Sequence, residues 1–77
     1  MKTFEKWLEK SNYEFVVRHA SFTTECRIRG NEGKCKVLFN HFKNRGCTVI
    51  DDNGFKTDVS SVKKAMELVD FLVDGIC

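Results

Sequence analysis

The spacing of apolar residues changes period twice along the chain, dividing it into helix, strands and helix. Near the C-terminus Val62, Ala65, Met66, Val69, Leu72, Val73 and Ile76 recur at i, i+3, i+4 and i+7, the signature of an amphipathic helix, and Leu68 and Phe71 widen its apolar stripe. Ser60 or Ser61 can cap this helix, because a serine oxygen accepts from an orphan N–H of the first turn. Gly75 stands where a left-handed residue ends it. At the other end of the chain, residues 3–10 place Phe4, Trp7 and Leu8 on one face and Glu5, Lys6, Glu9 and Lys10 on the other, with Asn12 as a stop. So short a helix is unstable alone, so its face must dock, with Trp7 as a core anchor.

Between the helices the period is two. Over residues 13–20, Tyr13, Phe15 and Val17 alternate with Glu14 and Arg18, and Val16 breaks the pattern. Thr24-Glu25-Cys26-Arg27-Ile28-Arg29 and Lys34-Cys35-Lys36-Val37-Leu38-Phe39 alternate cleanly about Gly30-Asn31-Glu32-Gly33, which reads as a hairpin. Cys26 and Ile28 must share a face with Cys35 and Val37, because a slip of one residue exposes one set. Ile28 then opposes Cys35 and Cys26 opposes Val37, while on the other face Arg29 opposes Lys34 and Arg27 opposes Lys36. Residues 39–46 fit one or two helical turns or a loop leaving the strand. Cys47-Thr48-Val49-Ile50-Asp51 is strand-like. Asp52-Asn53-Gly54 carries the Asn-Gly signal of a tight turn with two residues at positive φ, and Phe55-Lys56-Thr57-Asp58 returns with Lys56 facing Asp51.

These elements predict a single α+β domain over residues 1–77. Its two layers are a twisted antiparallel sheet of three to five strands and the N- and C-terminal helices, both on one face. The stripe of the last helix is expected to meet Phe15, Val17, Cys26, Ile28, Cys35, Val37 and Val49. A homodimer in which that wide stripe forms half an interface is an alternative to a monomer.

Charge adds two anomalies. Lys63 and Lys64 open the last helix and Asp70 and Asp74 close it, the reverse of what the helix dipole favours. Lys63 can pair with Glu67, and both lysines with Asp51, Asp52 or Asp58. The sharper reading is an anion site at the helix N-terminus. The hairpin supplies the second anomaly: Arg27, Arg29, Lys34 and Lys36 share one face with no acid between them, though Glu25 and Glu32 stand near. Directly opposed like charges are destabilising. The formal net charge of +2 hides a split. Residues 1–46 hold ten Lys/Arg and five Asp/Glu, or +5, and residues 47–77 three and six, or −3. Such a two-sided chain suits an acidic partner.

Catalytic chemistry is not indicated. The four cysteines, Cys26, Cys35, Cys47 and Cys77, show no Cys-x-x-Cys, and His19 and His41 do not form a metal-binding pair, so no metal or other cofactor is expected. Cys26 and Cys35 fall diagonally across the hairpin, too far apart for an unstrained disulfide, and read as small buried hydrophobes. No phosphate loop or nucleophile motif occurs. A domain of 77 residues leaves little room for a pocket of about 300 Å³ or more. The chain therefore reads as non-enzymatic. Residues 1–6 lack the apolar core of a secretory signal, and no stretch is long and apolar enough to span a membrane, so a cytoplasmic location without membrane contact is expected.

Ser61-Val62-Lys63-Lys64-Ala65, with the strands that precede it, resembles the Ser-Lys-Lys-x-Ala-Lys opening of the second helix in double-stranded-RNA-binding domains. That resemblance implies phosphate contacts by Lys63 and Lys64 and insertion of the first helix into a minor groove. In size and layout alone the chain is similar to the small inhibitors that phages encode, anti-CRISPR proteins included. This resemblance implies a protein partner with an acidic or nucleic-acid-binding surface, met by Arg27, Arg29, Lys34 and Lys36. The first expectation is thus an inhibitory or regulatory protein-binding module. The alternative is a nucleic-acid-binding domain using the same four residues with Lys63 and Lys64.

Overall fold

The period-two stretch folds as five strands. In the computed structural model, which describes residues 2–40 and 46–75, the order is α1 (Lys2–Lys10), β1 (Glu14–His19), β2 (Thr23–Arg29), β3 (Lys34–Asn40), β4 (Cys47–Ile50), β5 (Lys56–Val59) and α2 (Val62–Asp74). The strands form one antiparallel sheet in the order β1-β2-β3-β4-β5. The architecture is the expected α+β one, at the upper end of the predicted strand number. The hairpin register also agrees with the pattern: Ile28 pairs Cys35, Cys26 pairs Val37, Arg29 pairs Lys34 and Arg27 pairs Lys36.

Both helices lie on the face that carries the apolar set. Phe4 and Leu8 of α1 are fully buried with Cys26, Val37, Val49 and the α2 residues Ala65, Val69 and Val73. Each large apolar side chain so buried contributes roughly 1.5–3 kcal/mol. Phe4 meets Phe39 of β3 edge-on, with ring centroids 5.3 Å apart. Trp7 is half-buried at the margin of the core, edge-on to Tyr13 at 5.8 Å. α2 lies over β3, β4 and β5. Phe15 and Val17 on β1 are therefore half-buried flanks of the core and not the floor beneath α2. Phe71, read as a widening of the apolar stripe, is 52% exposed. The sheet fills only the side of α2 that carries Ala65, Val69 and Val73, and Phe71 lies outside that arc.

The helix ends follow local chemistry. Asn12 takes φ 59°. The Asn12 N–H reaches Glu9 O at 3.2 Å and the Tyr13 N–H reaches Leu8 O at 3.3 Å, the pair of bonds of a Schellman stop. Ser61, not Ser60, caps α2: its Oγ accepts the Lys64 N–H at 3.2 Å. Gly75 ends α2 in the left-handed region at φ 67°.

The β4–β5 connection corrects one expectation. Only Gly54, at φ 88°, has positive φ there, and Asn53 does not. Asp51 is the reason. Its Oδ1 accepts the N–H of Asn53 at 2.8 Å and of Phe55 at 2.9 Å, while its carbonyl accepts the Gly54 N–H at 3.0 Å. The result is a three-residue loop with glycine at the left-handed position, in place of a two-residue turn. The Asp51 carboxylate is thus engaged with the turn backbone and not with Lys56. Phe39 and Asn40 complete β3, and residues 41–45, with Ile76 and Cys77, lie outside the described residues.

Candidate functional site

Because α1 and α2 cover one face of the sheet, the other face is open. Alternation along β2 and β3 sends Arg27, Arg29, Lys34 and Lys36 to it, and all four are exposed. The register extends the set. Val16 of β1 opposes Arg27, Arg27 opposes Lys36, Lys36 opposes Ile50 of β4, and Ile50 opposes Lys56 of β5. One row therefore runs across the sheet as aliphatic, cation, cation, aliphatic, cation. Glu14, Arg29 and Lys34 form the row beside it.

Except for Lys56, the residues of these rows line a concavity of about 640 Å³, bounded by Glu14, Val16, Ile50, Asp51 and Asp52 around the four cations. The expectation of little room for a pocket is corrected in this respect. The space is an open trough in the uncovered face, where among the described residues no second layer of helices fills the sheet's twist.

Charge within the trough is only partly compensated. Arg27 Nε lies 3.3 Å from Glu25 Oε2, and Lys34 Nζ lies 3.8 Å from Asp52 Oδ1. Such exposed pairs contribute about 0–1 kcal/mol. Glu25 thus relieves the patch as its position suggests, and Asp52 takes the role expected of Glu32. Arg29 and Lys36, one in each row, have no carboxylate within ion-pair distance among the described residues.

Lys63 and Lys64 do not join this patch. They are exposed on the first turn of α2, in the layer behind the opposite face of the sheet. Asp58, expected as a partner, instead accepts the Thr48 hydroxyl at 2.6 Å. The acidic end of α2 has a structural role. The single hydroxyl hydrogen of Tyr13 is shared between Asp70 Oδ1, 2.5 Å from Oη, and Asp74 Oδ2, 2.8 Å from it. Asp74 Oδ1 accepts the Asn31 N–H at 3.1 Å. Val73 O accepts from Glu32 N at 2.7 Å and Gly33 N at 3.2 Å. The C-terminus of α2 thereby holds the β2–β3 turn, and the unfavourable dipole placement is offset by these bonds. Burial, then the two carboxylates, raise the Tyr13 hydroxyl well above the usual tyrosine range.

Cys26, Cys35 and Cys47 are free thiols buried beneath the sheet. Desolvation pushes Cys26 and Cys47 up to about 11, Cys26 with help from Glu5, and Cys35 up to about 12. They are therefore poor nucleophiles at neutral pH. His19 Nδ1 lies 3.3 Å from Thr24 Oγ1, and the reading of His41 falls outside the described residues. Among the described residues no cluster of His, Cys, Asp or Glu could hold a metal ion, and no helix is long and apolar enough to cross a membrane.

Pattern reading missed Val16, Ile50, Glu14 and Asp52 as members of the site. Val16 had announced itself as the residue that breaks the alternation of β1, whereas Ile50 joins only through the β3–β4 register. No family model, curated protein or solved structure matches the chain.

Proposed function

We propose that this chain is a non-catalytic module that docks an acidic surface of a partner protein on the open face of its sheet. An inhibitory or regulatory role is in keeping with its likeness in size and layout to small phage-encoded inhibitors of the anti-CRISPR type. One observation carries the reading: Arg27 stands opposite Lys36 between Val16 and Ile50, and Arg29 stands opposite Lys34 in the next row beside Glu14, all four cations uncovered. Each opposed pair costs stability, within about 0.2–1 kcal/mol, and local rules broken in this way mark functional positions.

Three features favour protein over nucleic acid. The basic row of Arg27 and Lys36 is flanked by the aliphatic Val16 and Ile50, and among the described residues no aromatic side chain stands in either row as a platform for bases. Glu14 and Asp52 stand on the rim, where a continuous phosphate backbone meets repulsion. Lys63 and Lys64 lie in the other layer, so the six basic residues do not make one track. The test is a titration of ¹⁵N-labelled protein with poly-L-glutamate, mixed-sequence single-stranded RNA and duplex DNA at about 50 and 200 mM salt. Shifts at Arg27 and Lys36 with poly-L-glutamate that exceed those with either nucleic acid support the reading. Tighter, steeply salt-dependent nucleic-acid binding at the same amides contradicts it.

A further inference from the structure

The layout of the open face also indicates the shape of its occupant, an inference that rests on reading the face as a protein-docking surface. Val16, Arg27, Lys36 and Ile50 stand in one row, one from each of β1 to β4. Neighbouring strands lie about 4.8 Å apart, so the two aliphatic residues are separated by roughly 14 Å with the cations midway. A single extended segment lying over the cations is too narrow to touch both flanks. An α-helix with its side chains is about 10–12 Å across and reaches both.

The second dimension agrees. The Arg29–Lys34 row lies two residues along the strands from the Arg27–Lys36 row, roughly 6.7 Å away. Residues i and i+4 on one helix face rise about 6 Å. Two carboxylates so spaced can each sit over one row. Each row also keeps one cation, Arg29 or Lys36, with no carboxylate at ion-pair distance among the described residues.

We propose that the face binds an amphipathic helix of a partner protein, laid along β2 and β3. The helix presents an acidic i, i+4 stripe to the four cations and aliphatic side chains on either side to Val16 and Ile50. The usual interface has an apolar centre and a polar rim. Here the centre is charged, and the complementary helix must be built the same way, which gives the face its selectivity.

The test uses three probes against the full ¹⁵N-labelled chain. One is a stapled helical peptide of about four turns with glutamates at i, i+4 between leucines. The second is an unstapled peptide of the same composition with the stripe scrambled. The third is mixed-sequence single-stranded RNA. The expected result is binding of the stapled peptide about 10-fold or more tighter than the scrambled one, with shifts centred on Val16, Arg27, Lys36 and Ile50. Arg29→Glu combined with Lys36→Glu, at two exposed positions, is expected to weaken it about 10-fold or more while the remaining amide spectrum keeps its dispersion. Equal binding of the two peptides at these amides overturns the helix inference and leaves the acidic-partner reading standing. RNA binding there, with neither peptide bound at concentrations up to about 1 mM, overturns both.

Discussion

Arg27 and Lys36 face each other across β2 and β3 on the uncovered side of the sheet, and Arg27 draws on Glu25 at 3.3 Å while Lys36 has no such carboxylate among the described residues. The opposition is a cost to the folded state that docking of an acidic group removes. Lys36→Glu is therefore expected to stabilise the isolated chain, by about 0.2–1 kcal/mol in urea unfolding, while weakening binding to acidic peptides. Loss of stability in this variant counts against the account, since it means the lysine makes a favourable contact in the free protein.

The bonds of Tyr13 to Asp70 and Asp74 join the start of β1 to the end of α2 over 57 and 61 residues of sequence. Tyr13→Phe leaves two carboxylates without their shared donor, and a destabilisation of about 1–3 kcal/mol is expected. Affinity for an acidic peptide on the open face is expected to stay within about 2-fold, because Tyr13 belongs to the covered layer. Chemical denaturation and a binding titration of one preparation check both halves.

The β2–β3 turn lies directly against the end of α2. A Cβ on Gly33 would come 2.8 Å from Leu72 O, and one on Gly30 2.6 Å from Val73 O. Neither backbone carbonyl can retreat without losing α2 geometry. Gly33→Ala is expected to cost about 1–3 kcal/mol, visible as a lower urea midpoint.

Alkaline pH is expected to destabilise the fold. Cys26, Cys35 and Cys47 are pushed up from 9.0 to about 11, 12 and 11, and Tyr13 is raised as well. Above pH ~9 the unfolded chain releases these thiol protons while the folded chain keeps them, so the unfolded state gains relative stability as pH rises. The contribution is fully present below the unfolded values and is lost between pH 9 and about 12. Unfolding free energies measured from pH 7 to 11 check this. At pH 7.5 the three thiols are expected to react with a disulfide reagent only at the rate of unfolding.

Much of this was legible in the sequence because it is local. The pairing of Ile28 with Cys35 and of Arg27 with Lys36 follows from which residues must be buried, and Ser61 and Gly75 end α2 by their own chemistry. What was not legible depends on distant partners. Asp70 and Asp74 look misplaced until Tyr13 and Asn31 arrive from elsewhere in the chain. The β4–β5 turn obeys Asp51, whose carboxylate outweighs the Asn-Gly signal beside it. The separation of Lys63 and Lys64 from the hairpin cations is a matter of layers, which no local pattern encodes.

The most direct measurement compares two double charge reversals in binding to poly-L-glutamate: Arg27→Glu with Lys36→Glu on the open face, and Lys63→Glu with Lys64→Glu on α2. All four positions are exposed, so both proteins are expected to fold. The first is expected to lose about 10-fold or more in affinity and the second less than about 2-fold. An equal or greater loss from the α2 pair would place docking on the other side of the molecule and overturn docking on the open face.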